Sequence, residues 1–407
     1  MKKVSVFRMV FLVGLYSIVA NLVHPLEPTI YANLGFHDYI FGVAMAAMAF
    51  TNFLFAPFWG KVMDRFGCAN ITGFSFFGYA LAQYMFASAT TETAIAVARL
   101  LAGVFISTIS VSQLLYIMRN SPREQAARNL MYNATASAVL SPVGYLIGGV
   151  MGDYSIRGTL MAQVVGLACI GFLFLLILGD EKPGLAPRFK IRGLVRDVNP
   201  LKSFGEIRPF MNAMVAVFFV IAFLTNFSTV CYEHSFNYLI KAEYGFPPSY
   251  NGYLKALVGI VALVSNITIS AYLIRKTNVQ RSIIGVLAVC AAMNVGIVLI
   301  KNITPFIAMN VVFFGFNSVY QPLLQATLAR LCDRGNHGIF VGMFNAVRSV
   351  GMVFGSLTAG FAYAISSRLP FVVTTAFFAA AVVFAVINFH LSRRIDTPAP
   401  RELTVSV

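Results

Sequence analysis

The sequence predicts an all-α membrane protein whose twelve transmembrane helices form two pseudo-symmetric bundles of six. Composition is the first reason: hydrophobic residues make up 58% of the 407-residue chain and charged residues only 11%. In a soluble domain, about a quarter of the residues are charged. The second reason is a series of apolar runs of about 20 residues, long enough to cross a hydrocarbon core of ~30 Å. The third is an internal repeat that relates the two halves. Together these observations exclude an ordinary soluble domain.

The apolar runs fall into six spans before a long polar segment and six spans after it. The first six are expected near residues 8–31, 39–59, 71–89, 93–118, 129–151 and 160–179. The second six are expected near residues 210–236, 249–274, 282–300, 305–329, 338–364 and 370–391. The chain therefore divides into an N-terminal bundle (1–180), a proline-containing linker (181–208), a C-terminal bundle (209–391) and a tail (392–407). The first run is too long for a signal peptide and lacks a convincing cleavage site, so we expect it to stay as span 1.

The basic residues predict the orientation of the chain. Of the 30 lysines and arginines, 23 lie in loops that share a side with the two termini, and four lie on the other side. Positive residues accumulate on the cytoplasmic side of membrane proteins, so both termini are expected in the cytoplasm of a cell inner (plasma) membrane protein. The net charge of +15 is then an orientation signal, and no nucleic-acid partner is expected.

Residues that would indicate an enzyme or a metal site do not form a recognisable pattern. The five cysteines are scattered without a C-x-x-C pair, which predicts neither a disulfide framework nor a metal site. The sequence contains no Walker, G-x-S-x-G or H-E-x-x-H motif. We therefore expect no catalytic activity, no metal and no cofactor.

The two halves share landmarks at a nearly constant offset. At an offset of 210 residues, His24 matches His234 and Gly35 matches Gly245, and at 212 residues Asn133 matches Asn345. A drift of two residues over six spans corresponds to a small insertion. Such a repeat predicts two parallel six-span halves that face each other around a cavity at the middle of the membrane.

A short charged stretch separates spans 2 and 3 and reads G-x-x-x-D-R-x-G. It runs from Gly60 to Gly67 and contains Asp64 and Arg65, charges that the bilayer core rejects by about 2.5–3.5 kcal/mol each. A glycine at each end is expected to let two helices turn back in a short loop. Within span 4, Arg99 lies four residues before Gly103.

These two patterns resemble the loop between spans 2 and 3 and the R-x-x-x-G pattern of span 4 in the major facilitator superfamily of secondary transporters. The resemblance covers about residues 8–391 and is greatest to the twelve-span drug:proton antiporter (multidrug efflux) branch. It implies a cytoplasmic gate formed by Gly60, Asp64, Arg65 and Gly67. It also implies that Arg99 faces the cavity and supports proton transfer.

Two carboxylates lie inside predicted spans, and each has a histidine beside it. His24 and Glu27 are three residues apart on one helix face of span 1, and Glu233 and His234 are adjacent in span 7. Ionisable groups inside a membrane predict function, and imidazole beside carboxylate titrates near physiological pH. We therefore expect these four groups and Arg99 to carry proton coupling. The alternatives are idle, hydrated side chains at the headgroup level and an Arg99 that extends to water.

Polar residues of the spans that line the cavity in the resembled family are candidates for substrate contacts. They are Asn21, Gln113, Asn226, Asn317, Tyr320, Gln321, Gln325 and Arg348. Taken singly, such residues usually form hydrogen bonds between helices. Arg348 is the most deeply placed cation, and either attracts an anionic substrate or pairs with Asp64.

The resemblance predicts proton-coupled export of small organic molecules, either amphipathic and drug-like or metabolites, by alternating access. One alternative is a proton-coupled uptake symporter for a small metabolite, either neutral or anionic. Another is a lipid-precursor flippase. The expected partners are the small-molecule substrate, protons and the lipid bilayer, and we expect the protein to be a monomer.

Overall fold

The computed structural model describes residues 2–178, 207–300, 302–331 and 337–396. Within these ranges it is helical and contains no strand. The α-helices before residue 179 are α1 (Lys2–Ala20), α2 (Glu27–Asn33), α3 (Ile40–Phe66), α4 (Cys68–Ala87), α5 (Glu92–Asn120), α6 (Arg123–Tyr154) and α7 (Ile156–Ile177). Those after residue 206 are α8 (Ala213–Ala242), α9 (Pro248–Ser265), α10 (Ala271–Lys276), α11 (Val279–Leu299), α12 (Ile303–Leu331), α13 (His337–Ile365) and α14 (Leu369–Asp396). Two 3₁₀ turns (His24–Leu26 and Arg208–Phe210) and a π-helical turn (Asn266–Ser270) connect or extend them.

These helices make the twelve spans that the sequence predicts. Eleven segments of the described chain are long and apolar enough to cross a membrane. Helix α4, with 20 residues, is the remaining span, and polar residues such as Thr72 and Gln83 lower its hydropathy. The predicted linker 181–208 lies outside the described residues except for its last two. The last span continues to Asp396, so the first residues of the predicted tail are helical.

Both halves use the same helix pairings, as a repeat requires. In the first half α1 packs on α6, α3 on α5, and α4 on α7; in the second half α8 packs on α13, α9 on α12, and α11 on α14. Two seams join the halves, α3 against α13 and α6 against α9, and each seam is the counterpart of the other. The all-α fold of two pseudo-symmetric six-helix bundles is therefore confirmed.

Two matched glycines show the repeat at the level of the backbone. Gly35 follows α2 with a φ of 67°, and Gly245 follows α8 with a φ of 65°. Each amide continues the preceding helical turn, to Ala32 O at 3.1 Å and to Lys241 O at 2.9 Å. Glycine adopts this left-handed conformation without the steric cost that a side chain imposes. The offset of 210 residues thus relates equivalent turns.

The two seams pack closely at the face of the membrane opposite the chain ends, here called the opposite side. The face on which the chain ends lie is called the basic side. A Cβ at Gly42 would lie 2.3 Å from Ser356 O, and one at Gly252 would lie 2.8 Å from Tyr145 O. Near the basic side, the nearest described atom to a Cβ at Gly60 is Val111 Cγ1, in the same half and 3.9 Å away. The structure is therefore closed on the opposite side, whereas no described atom of the other half lies within 4 Å of a Cβ at Gly60.

The first span is broken, whereas the sequence predicts one helix over 8–31. Helix α1 ends at Ala20, and helical structure resumes at His24 and Glu27. The physical reason is that Pro25 and Pro28 carry no N–H and clash with the preceding turn of an α-helix. The break places His24 and Glu27 together at the start of a new helical segment.

A buried glutamine from α7 bonds the carbonyls at the end of α1. Gln163 Nε2 donates to Val19 O at 3.1 Å and to Ala20 O at 2.8 Å. Gln83 of α4 in turn donates to Gln163 Oε1 at 2.6 Å. Unbonded backbone carbonyls cost several kcal/mol each inside a membrane, so these bonds stabilise the broken span.

The turn between α3 and α4 also differs from the prediction. The sequence predicts a loop from Gly60 to Gly67, but α3 continues through Gly60 to Phe66 and α4 begins at Cys68. Gly67 turns the chain, with φ 81° and ψ 159°, a conformation that a residue without Cβ adopts at little cost. Asp64 and Arg65 belong to α3, and their side chains lie outside the described residues, so the gate stays a prediction.

Candidate functional site

Glu27 is the centre of a buried charge cluster on the opposite side. Its Oε1 lies 2.6 Å from Arg99 Nη2 on α5 and 2.7 Å from His24 Nδ1 in the 3₁₀ turn. The exposed fraction of the side chain is 8% for Glu27 and 0% for Arg99. The guanidinium of Arg99 also lies over the ring of Phe86, 4.0 Å from its centroid. The α1–α2 break is what carries Glu27 and His24 into this position.

One carboxylate compensates the whole charge of Arg99. Among the described residues, Arg99 Nε and Nη1 have no hydrogen-bond acceptor. A guanidinium stays protonated even when it is buried, so Arg99 depends on an ionised Glu27. Removal of one partner from a buried ion pair costs about 3–5 kcal/mol, because the other charge is left uncompensated. The charge of Glu27 is therefore coupled to the stability of this closed arrangement.

Residues of both halves line a small cavity beside Glu27. His24 and Glu27 of the first half and His234 of α8 form its wall together with Tyr31 and Tyr145, and its volume is about 30 Å³. A cavity of this size, with several polar groups, has room for a water molecule. Three of the four groups predicted to carry protons thus meet across the boundary between the halves.

The fourth group, Glu233, makes an ion pair with Lys255 of α9. Their side chains are 31% and 19% exposed, so this pair is more open than the one at Glu27. Tyr145 of α6 joins the two clusters: its ring stacks on His24 at 5.7 Å and receives Lys255 Nζ at 5.4 Å from its centroid. A closed opposite side therefore places one aromatic ring against His24 of the first cluster and Lys255 of the second.

A second polar group lies near the middle of the membrane, within the second half. The Gln321 amide accepts from Arg348 when its oxygen faces the guanidinium, at 2.9 and 3.2 Å. Asn226 Nδ2 donates to Arg348 O at 2.5 Å. Nearby, Thr229 Oγ1 donates to Asn317 Oδ1 at 3.1 Å and lies 3.0 Å from the Tyr320 hydroxyl. Five predicted substrate residues therefore belong to one polar region.

No hydrogen bond among the described residues joins the other three predicted substrate residues to Arg348. Gln113 accepts a hydrogen bond from Asn133 at 3.0 Å, which joins α5 to α6 in the first half. Asn21 bonds back to Ser17 O at 2.7 Å, at the end of α1. Gln325 is exposed on the last turns of α12. Gln325 follows Gln321 by one helical turn, so of these three residues it lies nearest in the chain to a partner of Arg348.

Several contacts of these clusters and of the broken span come from residues outside the predicted set, among them Lys255, Tyr145 and Gln163. The sequence contains a signal for Lys255, because a lysine inside a span needs a partner. Glu233 is the nearest intramembrane acid in the sequence, so the pair could be predicted. Tyr145 and Gln163 gave no such signal. Their roles depend on which helices meet, and a single sequence does not specify helix pairing.

Two parallel six-helix bundles, joined by symmetric seams and closed over buried ion pairs, define the class of polytopic secondary transporters with internal repeats. Comparison with known families agrees with this class. The Major Facilitator Superfamily model matches residues 9–319. The chain belongs to the Major Facilitator Superfamily, and it is a multi-pass membrane protein.

Several characterised proteins align with most of the chain at low sequence identity. The chain is 22% identical to multidrug resistance protein 2 of Bacillus subtilis (strain 168) over 359 residues, 86% of each chain. It is 24% identical to the class C tetracycline resistance protein of Escherichia coli over 364 residues, 87% of this chain and 88% of that one. A bacterial homologue of the human lysosomal transporter Spinster, solved in an inward-facing, unoccupied conformation, aligns with a TM-score of 0.77 at 12% identity, over 98% and 99% of the two chains.

Proposed function

We propose that this protein exports small organic molecules in exchange for protons, by alternating access, across the cell inner (plasma) membrane. The observation that carries the proposal is the buried Glu27–Arg99 pair with His24 and His234 beside it, at the side where the two halves close. The substrate, protons and the bilayer are the partners, and the working unit is a monomer. Both termini face the cytoplasm, so the opposite side is the outer one.

The cluster supports proton coupling because its charge and its closure depend on each other. If Glu27 takes up a proton, Arg99 becomes a buried cation without a counter-charge, which destabilises the closed outer side by about 3–5 kcal/mol. A difference of that size shifts the balance between two conformations by more than a hundredfold. Proton binding and the alternation of access are then linked at one site.

Export rather than uptake is supported by the relatives, which are named for resistance to drugs and to tetracycline. Export against a gradient needs energy, and each proton that crosses inward releases about 2.3 kcal/mol per 100 mV of membrane potential.

Everted membrane vesicles with an acidified lumen test the proposal. A panel of amphipathic aromatic compounds of different charge, tetracycline among them, is added to the bath, and a pH-sensitive dye reports the lumen. Proton release triggered by bath-added compound supports export, and vesicles that contain the Glu27→Gln variant are the control. Proton release only when the compound is preloaded in the lumen contradicts export and supports the uptake symporter.

A further inference from the structure

Charge balance inside the membrane singles out Arg348. Five lysine, arginine or carboxylate side chains of the described spans lie more than one helical turn from a span end: three cations and two carboxylates. Arg99 pairs with Glu27 and Lys255 pairs with Glu233. Arg348 is the remaining cation, and no carboxylate of the described residues lies within ion-pair distance of it.

The surroundings of Arg348 hold it in place without neutralising it. Gln321 of α12 offers an amide oxygen, Asn226 of α8 bonds the Arg348 carbonyl, and the ring of Phe344 lies 5.7 Å from the guanidinium. Amide and aromatic groups orient a guanidinium, but they carry no net charge to balance it. Among the described residues, Gln321 alone accepts hydrogen bonds from the Arg348 guanidinium, which leaves most of its five N–H donors for a further acceptor.

The position of Arg348 is that of a substrate site. It is the twelfth residue of α13, about 16 Å from the start of that helix on the basic side, and therefore near the middle of the membrane. It is half-buried, with α8 and α12 beside it. Binding sites of transporters with repeated halves lie at this depth.

From these observations we propose that Arg348 and Gln321 bind the anionic group of an aromatic or otherwise apolar organic anion, such as a carboxylate or a sulfonate. Arg348 supplies the bidentate fork that suits a planar carboxylate, and Gln321 keeps the fork in one orientation. The proposal deepens the proposed function, on which it rests for the direction of transport, by naming the charge of the substrate. Since both intramembrane acids already have cationic partners, a cationic substrate would find no free counter-charge among the described spans.

Binding to the purified, full-length protein tests the charge of the substrate separately from transport. Three probes of one shape are compared by isothermal titration calorimetry: naphthalene-2-carboxylate, the neutral naphthalene-2-carboxamide and the cationic 2-(aminomethyl)naphthalene. We expect the carboxylate to bind at least tenfold more tightly than either other probe. Equal or tighter binding of the amine, or no carboxylate binding up to about 1 mM, overturns the proposal.

Variants locate the site. Arg348→Gln should reduce carboxylate affinity at least tenfold and leave carboxamide affinity unchanged, and Arg348→Lys should keep an intermediate preference. The matched control is Arg281→Gln, because Arg281 also lies over a phenylalanine ring, 5.2 Å from the centroid of Phe389, but on an exposed turn at the start of α11. A carboxylate preference that survives Arg348→Gln overturns the proposal, even if the native protein prefers the anion.

The two proposals fail in different ways. Carboxylate binding without proton movement in the vesicle assay contradicts proton-coupled export and leaves the anion site intact. Proton release triggered by the amine but not by the carboxylate supports export and overturns the anion site.

Discussion

The first span of each half shows how far two copies of one repeat have diverged. Span 1 is broken between Ala20 and His24, whereas its counterpart α8 is one continuous helix of 30 residues. At the offset of 210, Pro25 corresponds to Ser235 and Pro28 to Tyr238, so the second half has no proline at either position. The repeat therefore keeps the turns and the helix pairings and changes the backbone where the charge cluster lies.

The two acid–cation pairs, Glu27–Arg99 and Glu233–Lys255, also differ between the halves. They are not equivalent by the repeat, since Glu27 corresponds to Asn237 and Glu233 to Val23. The Glu27–Arg99 pair is sealed, with Arg99 fully buried, while Glu233 and Lys255 keep 31% and 19% exposure. Water screens the second pair, so its contribution is smaller. We infer that coupling is concentrated in the first half, and the following predictions test that asymmetry.

The largest effect is expected for Glu27→Gln. The substitution keeps the shape of the side chain and removes the charge on which Arg99 depends, so we expect proton-driven transport to fall at least a hundredfold while exchange of substrate across the membrane continues. The measurement is uptake of labelled compound into everted vesicles with and without a pH gradient.

Glu243→Gln is the matched control for Glu27→Gln. Glu243 is 33% exposed and forms a long ion pair with Arg368 at 3.9 Å, so its removal should change transport less than twofold. Full proton-driven activity in Glu27→Gln would remove Glu27 from the coupling mechanism and, with it, the asymmetry between the halves.

The second prediction concerns closure at the seams. Gly42→Val places a side chain where Cβ alone would lie 2.3 Å from Ser356 O, so the opposite side should close poorly and transport should fall about tenfold or more. Gly285→Val on α11 is the matched control, because no described atom lies within 4 Å of a Cβ at that position. Accessibility of a cysteine introduced at Met45, beside the Glu27 cavity, to a membrane-impermeant thiol reagent reports closure. Protection in Gly42→Val equal to that in the native protein would contradict the closed seam.

The third prediction concerns the broken span. Gln163→Leu removes the amide that donates to Val19 O and Ala20 O and keeps a side chain of similar volume. Val19 O keeps its bond from Leu22 N at 3.3 Å, so the larger loss is at Ala20 O. We expect a loss of about 1–3 kcal/mol in stability and a shifted pH profile of transport, because the position of His24 and Glu27 depends on the break. Gln83→Leu removes one bond to Gln163 and leaves both carbonyls bonded, so its effect should be smaller. A pH profile unchanged in Gln163→Leu would limit Gln163 to a structural role.

The sequence predicted the fold because the fold follows from local patterns. Apolar runs define the spans, and the paired glycines at Gly35 and Gly245 mark the repeat that the structure shows. The break in span 1 was accessible in principle, since Pro25 and Pro28 lie in one turn. It escaped prediction because hydropathy reports the length of a span and not the continuity of its backbone.

The site was predicted less completely than the fold. Ionisable groups are costly inside a membrane, so the sequence indicates a functional role for Glu27, His24, Arg99 and His234. The structure brings these four residues together. Their partners depend on long-range packing. Gln163 binds carbonyls 143 and 144 residues away, and the spacing of residues within a helix carries no information about such a contact.

The smallest effect is expected at the Glu233–Lys255 pair, which is the more exposed of the two. Its size shows whether proton coupling is concentrated in the first half or shared by both halves. Lys255→Gln leaves Glu233 without its cation, but the side chain of Glu233 is 31% exposed and reaches water. We therefore expect a loss of about 1 kcal/mol or less in stability and a change of no more than threefold in proton-driven transport. Thermal unfolding and the vesicle assay measure both on one preparation. If Lys255→Gln were as damaging as Glu27→Gln, the two halves would share the coupling equally, and the broken span would have no special part in it.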